Sequence, residues 1–180
     1  MSGSRLGSAP TSTEAAGGDS AEILLSPREL IAAIAGKIQG VSPMVAWARE
    51  LGDLHASLLP CAPDRRPEGF DPAAVRAEIA RIIDIIDSSA VGRLPCIPQA
   101  RTHTHTLGQV VSTVAETFAT AWWTVRHSDD EEVRHHAWTR LGEIREGYAA
   151  LLADIETKRV QLPTEVIADP SVPASVPASR

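Results

Sequence analysis

The feature that most constrains the fold is a pair of long apolar stripes in the second half of the chain. Between residues 107 and 155, apolar side chains recur at alternating steps of four and three, with one short polar break near residue 128. This spacing places the apolar side chains on one face of an α-helix. Two long helices joined by so short a turn pack as an antiparallel hairpin. The stripes consist of Leu107, Val111, Val114, Phe118, Ala121 and Val125, followed by Ala137, Leu141, Ile144, Tyr148, Leu151 and Ile155.

Three further helices are predicted upstream, and each follows a helix-capping residue and a proline. In the first of them, Glu29 completes a capping box with Ser26. We expect this first helix to continue until Gly40, because glycine commonly ends helices. The three start signals are Ser26-Pro27, Ser42-Pro43 and Asp71-Pro72.

The two hairpin helices carry start signals as well. Thr106 and Gln109 form a capping box before the first, and Ser128 and Glu131 form one before the second. Together the signals predict an all-α, single-domain bundle of about five helices, with helices 4 and 5 as a long antiparallel hairpin.

The two ends of the chain differ in composition from the rest. Residues 1–21 are rich in Gly, Ser, Thr and Ala, and residues 164–180 are rich in Pro, Ser and Val. Segments with so little apolar content cannot offset their chain entropy, so both are predicted to be disordered tails. The helical-bundle domain is therefore predicted to span residues 22–163, which is long enough to fold without a disulfide or a metal.

Composition excludes several classes of protein. The 180-residue chain carries a net charge of −6, which argues against a nucleic-acid-binding protein. No apolar run reaches the roughly 18 residues of a membrane span, and no signal peptide is evident, so we expect a cytoplasmic protein without a membrane partner. Cys61 and Cys96 are predicted to be reduced thiols, with a disulfide between them as the alternative. The preference for arginine over lysine and the absence of asparagine are typical of a GC-rich bacterial genome.

Five short motifs occur in the order found in a known family. They are Glu50-Leu51-Gly52-Asp53-Leu54-His55, Leu94-Pro95, His103-Thr104-His105-Thr106-Leu107-Gly108, Trp138-Thr139-Arg140-Leu141 with Gly147-Tyr148, and Arg159-Val160-Gln161-Leu162-Pro163. With these motifs the chain resembles the bacterial domain-of-unknown-function family 4254 over residues 25–163. The resemblance implies an all-helical fold and no particular activity. That family usually has an acidic or amide residue where this chain has His105, so any function of that residue would be lost or replaced here.

The segment that most suggests a functional site precedes the fourth helix. One interpretation is structural: the threonines cap the helix, and if the helix begins at Thr102, His103 belongs to its buried stripe. The functional interpretation is that the histidines bind a metal ion, or that they bind an anion together with Arg101 at the helix N-terminus. The candidate residues are Arg101, His103, Thr104, His105 and Thr106.

A further histidine, His55, lies in the apolar stripe of the second helix, where a buried, hydrogen-bonded role is the simplest interpretation. If the bundle brings His55 next to His103 and His105, the three could bind a divalent metal. No other cofactor is predicted. Asp84 and Asp87 form an acidic pair of the kind that holds magnesium, but we expect them on a solvated face of the third helix, with Asp84 opposite the apolar stripe and Asp87 nearer its edge.

Trp122 and Trp123 are adjacent on the fourth helix. Trp122 flanks the apolar stripe and fits the core, whereas Trp123 lies further around the helix. Trp123 is therefore either covered by another element or part of an interface, where tryptophan is enriched.

Two functional hypotheses follow from these residues. The first is a binding or regulatory module that self-associates, as a dimer, or binds a protein partner through Trp123. The second is a small metal-assisted hydrolase that acts on a phosphate-containing small molecule through His103 and His105. The sequence does not decide whether the protein is an enzyme.

Overall fold

The computed structural model describes residues 23–38, 40, 42–60, 68–94 and 96–163, so both predicted tails and Cys61 lie outside the described residues. Within these ranges five complete helices and one short pair of strands confirm the all-α bundle. None of these helices combines the length and the apolar content needed to cross a membrane. The elements are α1 (Pro27–Ile34), α2 (Pro43–Leu58), α3 (Pro72–Ala90), β1 (Arg101–Thr102), α4 (Leu107–His127), α5 (Glu131–Glu156) and β2 (Val160–Gln161).

The fourth helix is the centre of the bundle. It contacts each of the other four helices, most extensively α2 and α5, which confirms the predicted packing of helices 4 and 5. Its fully buried Leu107, Val111 and Val114 share one core with Leu51 of α2 and Ile82 of α3. Because α5 packs mainly against α4, much of the opposite side of α5 is exposed.

The first helix is shorter than predicted. It ends at Ile34, and the predicted continuation to Gly40 is wrong. The cause is Gly36, which adopts a φ of 66° and donates its N–H to the carbonyl of Ala33 at 2.9 Å. Glycine adopts this left-handed conformation without a steric penalty, so the helix ends at the first glycine rather than the second.

The capping-box predictions are confirmed at two helices and wrong at a third. At α5 the N-cap is Asp130, whose carboxylate accepts hydrogen bonds from the N–H groups of Glu132 and Val133 at 2.9 and 3.3 Å. The predicted cap, Ser128, is instead the C-cap of α4. A charged acceptor at the positive end of the helix dipole accounts for the later start. The confirmed capping boxes are Ser26–Glu29 and Thr106–Gln109.

A short parallel pair of strands, which the sequence analysis did not anticipate, ties the segment before α4 to the segment after α5. Arg101 pairs with Val160, and Thr102 pairs with Gln161. The side chain of Gln161 also accepts a hydrogen bond from the N–H of Ile97 and donates one to the hydroxyl of Thr102, both at 3.1 Å. The loop that carries the predicted site is therefore held against the end of α5.

Candidate functional site

The predicted site lies in the loop between β1 and α4. Thr102 belongs to β1, and α4 begins only at Leu107, so the alternative helix start at Thr102 is wrong. The N–H of His103 donates to the carbonyl of Gln161 at 2.8 Å, and Arg101 is exposed. His103 is therefore a half-buried loop residue and not part of the buried helical stripe.

His103 and His105 lie side by side in this loop, with ring centroids 5.8 Å apart. Nδ1 of His103 is 2.9 Å from the carbonyl oxygen of His105 and 3.1 Å from the backbone nitrogen of His105. Nδ1 of His105 is 2.9 Å from the hydroxyl of Thr104. Both Nδ1 atoms thus have local partners that hold the rings in place, and the Nε2 atoms are the ones available to a ligand.

The two rings border a surface cleft of about 280 Å³ together with Glu143 and Tyr148 of α5. The hydroxyl of Tyr148 is buried and donates to the carbonyl of Leu25 at 2.8 Å. Burial also raises the pKa of Tyr148. The cleft therefore offers two imidazoles and one carboxylate, while the phenol is already committed to the core.

His55 does not line that cleft. Its Nε2 is 2.9 Å from the hydroxyl of Ser112, which joins α2 to α4. Burial lowers the pKa of His55, and the negative charge of Glu116 partly offsets this effect. A serine next to a histidine can be a nucleophile and its base, but Ser112 is only 7% exposed, and neither residue lines any of the five main clefts of the described ranges. The pair is an interhelical hydrogen bond.

The predicted metal ligands are therefore not brought together. His103 and His105 are neighbours, whereas His55 is bonded to Ser112 elsewhere in the bundle. Among the described residues, no three histidine, cysteine, aspartate or glutamate side chains are placed so that they could hold a metal ion.

The N-terminus of α4, where an anion was predicted to bind, is occupied by groups of the protein itself. The N–H of Gly108 donates to a carboxylate oxygen of Asp87 at 2.7 Å, and the N–H of Gln109 donates to the hydroxyl of Thr106 at 3.3 Å. Thr106 is buried and serves as the N-cap. An external anion would have to compete with Asp87, which is half-buried rather than on the predicted solvated face.

A larger depression lies at the other end of α4. This aromatic groove, with a volume of about 730 Å³, runs between α1 and α2 on one side and α4 and α5 on the other. Gly52 lets α2 approach α1 closely here, because a β-carbon at this position would lie 2.9 Å from the side chain of Ile34. The aromatic residues that line the groove are Phe118, Trp122, Trp123 and Trp138.

Two of these tryptophans are half exposed. Trp122 is 46% exposed and Trp138 is 44% exposed. Trp122 stacks on Phe118 with ring centroids 6.3 Å apart, and the guanidinium of Arg126 lies 5.6 Å from the Trp122 ring. The expectation that Trp122 fits the core is therefore wrong, because the short α1 forms a wall of the groove and does not cover Trp122.

Trp123, the predicted interface residue, is more enclosed than its neighbour. It is half-buried and stacks on His127 with ring centroids 4.8 Å apart. Nδ1 of His127 is also 2.8 Å from the carbonyl oxygen of Trp123. Trp123 still lines the aromatic groove, so the structure places it at the edge of the surface that Trp122 and Trp138 expose.

The rim of the aromatic groove is positively charged. Arg28, Lys37 and Arg126 line it, and among the described residues that line it the only carboxylate is Asp53. Asp53 itself lies 3.9 Å from the guanidinium of Arg49. A net positive rim around an aromatic floor contrasts with the net charge of −6 on the whole chain.

The sequence places Trp138 in one of the five family motifs, but neither Trp138 nor the cations of the rim was predicted to belong to a binding surface. Trp138 follows the stripe residue Ala137 by one position, which is about 100° around the helix and thus off the apolar face. A tryptophan that lies off the apolar stripe is a sequence signal for an interface, and it holds for Trp138 as well as for Trp123. The cations come from α1, from the segment that follows it and from α4, and the proximity of these parts depends on the tertiary fold.

No protein-family model, no curated protein and no solved structure matches this chain. The resemblance to family 4254 therefore remains a prediction from the order of the motifs.

Proposed function

We propose that this protein is an interaction module that binds another protein chain through its aromatic groove. The observation that carries the proposal is the pair of half-exposed tryptophans, Trp122 and Trp138, beside a groove of about 730 Å³. Tryptophan in water is unfavourable, and it is strongly enriched among the residues that dominate binding energy at protein interfaces.

The rim supports the same function. Arg28 and Lys37 are exposed and form no ion pair within the described ranges, so their charges are available to a partner. Arg126 covers one face of the Trp122 ring, an arrangement that keeps a cation and an apolar surface together. Such a surface suits a partner that combines apolar anchors with carboxylates.

The test is affinity capture from an extract of the source cells by the immobilised protein. A Trp122→Ala/Trp138→Ala variant should lose the proteins that the wild type retains, while its helical content, measured by circular dichroism, is unchanged. Val91→Ala is the matched control, because Val91 is 47% exposed but lies outside the groove. An identical set of proteins on all three supports would overturn the proposal.

The metal-assisted hydrolase hypothesis has less support, since His55 does not join His103 and His105. It is tested by measuring the metal content of the untagged protein beside a His103→Ala/His105→Ala variant. Stoichiometric metal that disappears in the variant would favour the hydrolase over the interaction module.

A further inference from the structure

We infer that the partner in the aromatic groove is a second copy of this chain, bound so that the turn between α4 and α5 of each copy lies against the groove of the other. The inference rests on the proposed function, because it names the occupant of the same surface. The acidic tip of this turn consists of Asp129, Asp130, Glu131 and Glu132.

Most of the exposed apolar surface lies around the acidic tip. Four large apolar side chains in the described ranges are exposed, and three of them, Trp122, Val133 and Trp138, belong to the part of the α4–α5 hairpin that surrounds the acidic tip. The fourth, Val91, follows α3. Apolar exposure concentrated at one end of a molecule is typical of an interface.

The groove and the acidic tip carry opposite charges. The groove presents Arg28, Lys37 and Arg126, and the acidic tip begins three residues after Arg126. Asp129 and Glu131 form no ion pair in the parts of the chain that the structure describes. The cations of the groove and the carboxylates of the acidic tip can therefore pair with each other across an interface.

These two features satisfy the condition for a two-fold interface. In such an interface the same patch occurs on both copies, so it must carry both a feature and its complement. Here one patch contains both parts. One part is the aromatic groove with its cationic rim, and the other is the acidic tip with its apolar neighbours. The groove of the first copy receives the tip of the second, and the two-fold axis repeats this contact in the opposite sense. Two α-helical hairpins would then pack as a four-helix arrangement.

The decisive experiment is charge reversal with purified protein, read out as molar mass by sedimentation equilibrium over about 1–200 µM. The groove variant is Arg28→Glu/Lys37→Glu, and the tip variant is Asp129→Lys/Glu131→Lys. Asp130 is left unchanged because it caps α5. We expect the wild type to dimerise, each variant alone to dimerise at least about tenfold more weakly, and an equimolar mixture to recover association as a heterodimer.

The mixture recovers association because both of its contacts pair opposite charges. The reversed groove meets the reversed tip, and the unchanged groove meets the unchanged tip. A wild type that stays monomeric across the range, a dimer that neither variant weakens, or a mixture that does not recover would each overturn the inference.

The outcome is separable from that of the proposed function. If the purified protein is monomeric but still captures another protein through Trp122 and Trp138, the groove binds a different chain, so the inference fails and the proposed function stands. If capture does not depend on these tryptophans, the proposed function fails whatever the molar mass.

Discussion

The two ends of α4 differ in how their polar and apolar groups are used. At the N-terminal end, Thr106 and Asp87 accept hydrogen bonds from backbone N–H groups, and Gly108 packs directly on α3. At the C-terminal end, Trp122 is half exposed, and Arg126 rests on it without a carboxylate partner among the described residues. The first end serves stability, whereas the second has surface that the described part of the chain does not use. The cluster of histidines and threonines is held by local hydrogen bonds, whereas Trp122 leaves apolar surface in water, which is why we place the proposed function at the second end.

The largest effect on stability is expected from Gly108→Ala, at the N-terminal end of α4. A β-carbon there would lie 2.5 Å from the carbonyl oxygen of Ile83, so α3 and α4 would have to move apart. We expect the free energy of unfolding to fall by about 3 kcal/mol, measured by urea denaturation. The matched control is Gly142→Ala, which meets no atom within 4 Å and should raise the stability by up to about 1 kcal/mol. Equal effects of the two changes would show that α3 and α4 are not in close contact.

The next largest effect is expected for Asp87→Ala, which removes the acceptor for the N–H of Gly108. We expect a loss of about 1–2 kcal/mol in the free energy of unfolding, because a buried helix start loses a charged cap. Asp87→Asn keeps an oxygen acceptor and should lie between the variant and the wild type. Asp84 is exposed on the same helix, and Asp84→Ala should change the stability by less than about 0.5 kcal/mol. Indistinguishable Asp84 and Asp87 variants would contradict the capping role.

A smaller effect is expected on the pH dependence of stability, through His55. Its folded-state pKa is below the ordinary value of 6.5, so below pH 6.5 the unfolded chain binds a proton that the folded chain does not. Stability should therefore decrease as the pH falls from about 7.5 through 6.5, until the folded state also takes up the proton. His55→Gln should remove this component, whereas His103→Ala should keep it. Denaturation curves at a series of pH values check the prediction, and an unchanged pH dependence in His55→Gln would refute it.

The smallest effect on stability is expected for Arg28→Glu/Lys37→Glu, in the aromatic groove at the C-terminal end of α4. Both side chains are exposed and unpaired in the described ranges, so the free energy of unfolding should change by less than about 0.5 kcal/mol. The same variant should weaken self-association by at least about tenfold. A large loss of stability with unchanged association would reverse the comparison between the two ends of α4.

The helices could be predicted from the sequence because their determinants are local. The stripe from Leu107 to Val125 and the capping boxes at Ser26 and Thr106 involve residues three or four positions apart, and the structure confirms these elements. The errors also have local causes. Gly36 ended α1 before Gly40 could, and Asp130 capped α5 in place of Ser128.

The candidate site could be predicted only in part. The proximity of His103 to His105 follows from their places in the chain, but that of His55 to Ser112 depends on how α2 packs against α4. Likewise, nothing near Asp87 in the sequence indicates that its carboxylate caps a helix that begins twenty residues later. Trp138 lies off its helical stripe, and the wall opposite it comes from α1 and α2.

The sequence by itself determined that five helices form, that the last two form a hairpin, and which side chains of their apolar stripes face the core for the most part, because periodicity and capping act within a few residues. The tertiary structure alone decided which polar groups are satisfied and which apolar groups stay in water. That outcome depends on contacts between residues far apart in the chain, as with Asp87 and Gly108, and on the short α1 that leaves one end of α4 uncovered. It also depends on which distant residues line one groove, as Arg28 and Trp122 do. The histidines that the sequence brought forward are therefore held mainly by local hydrogen bonds, whereas the aromatic groove is centred near Trp122, about 20 Å along the same helix.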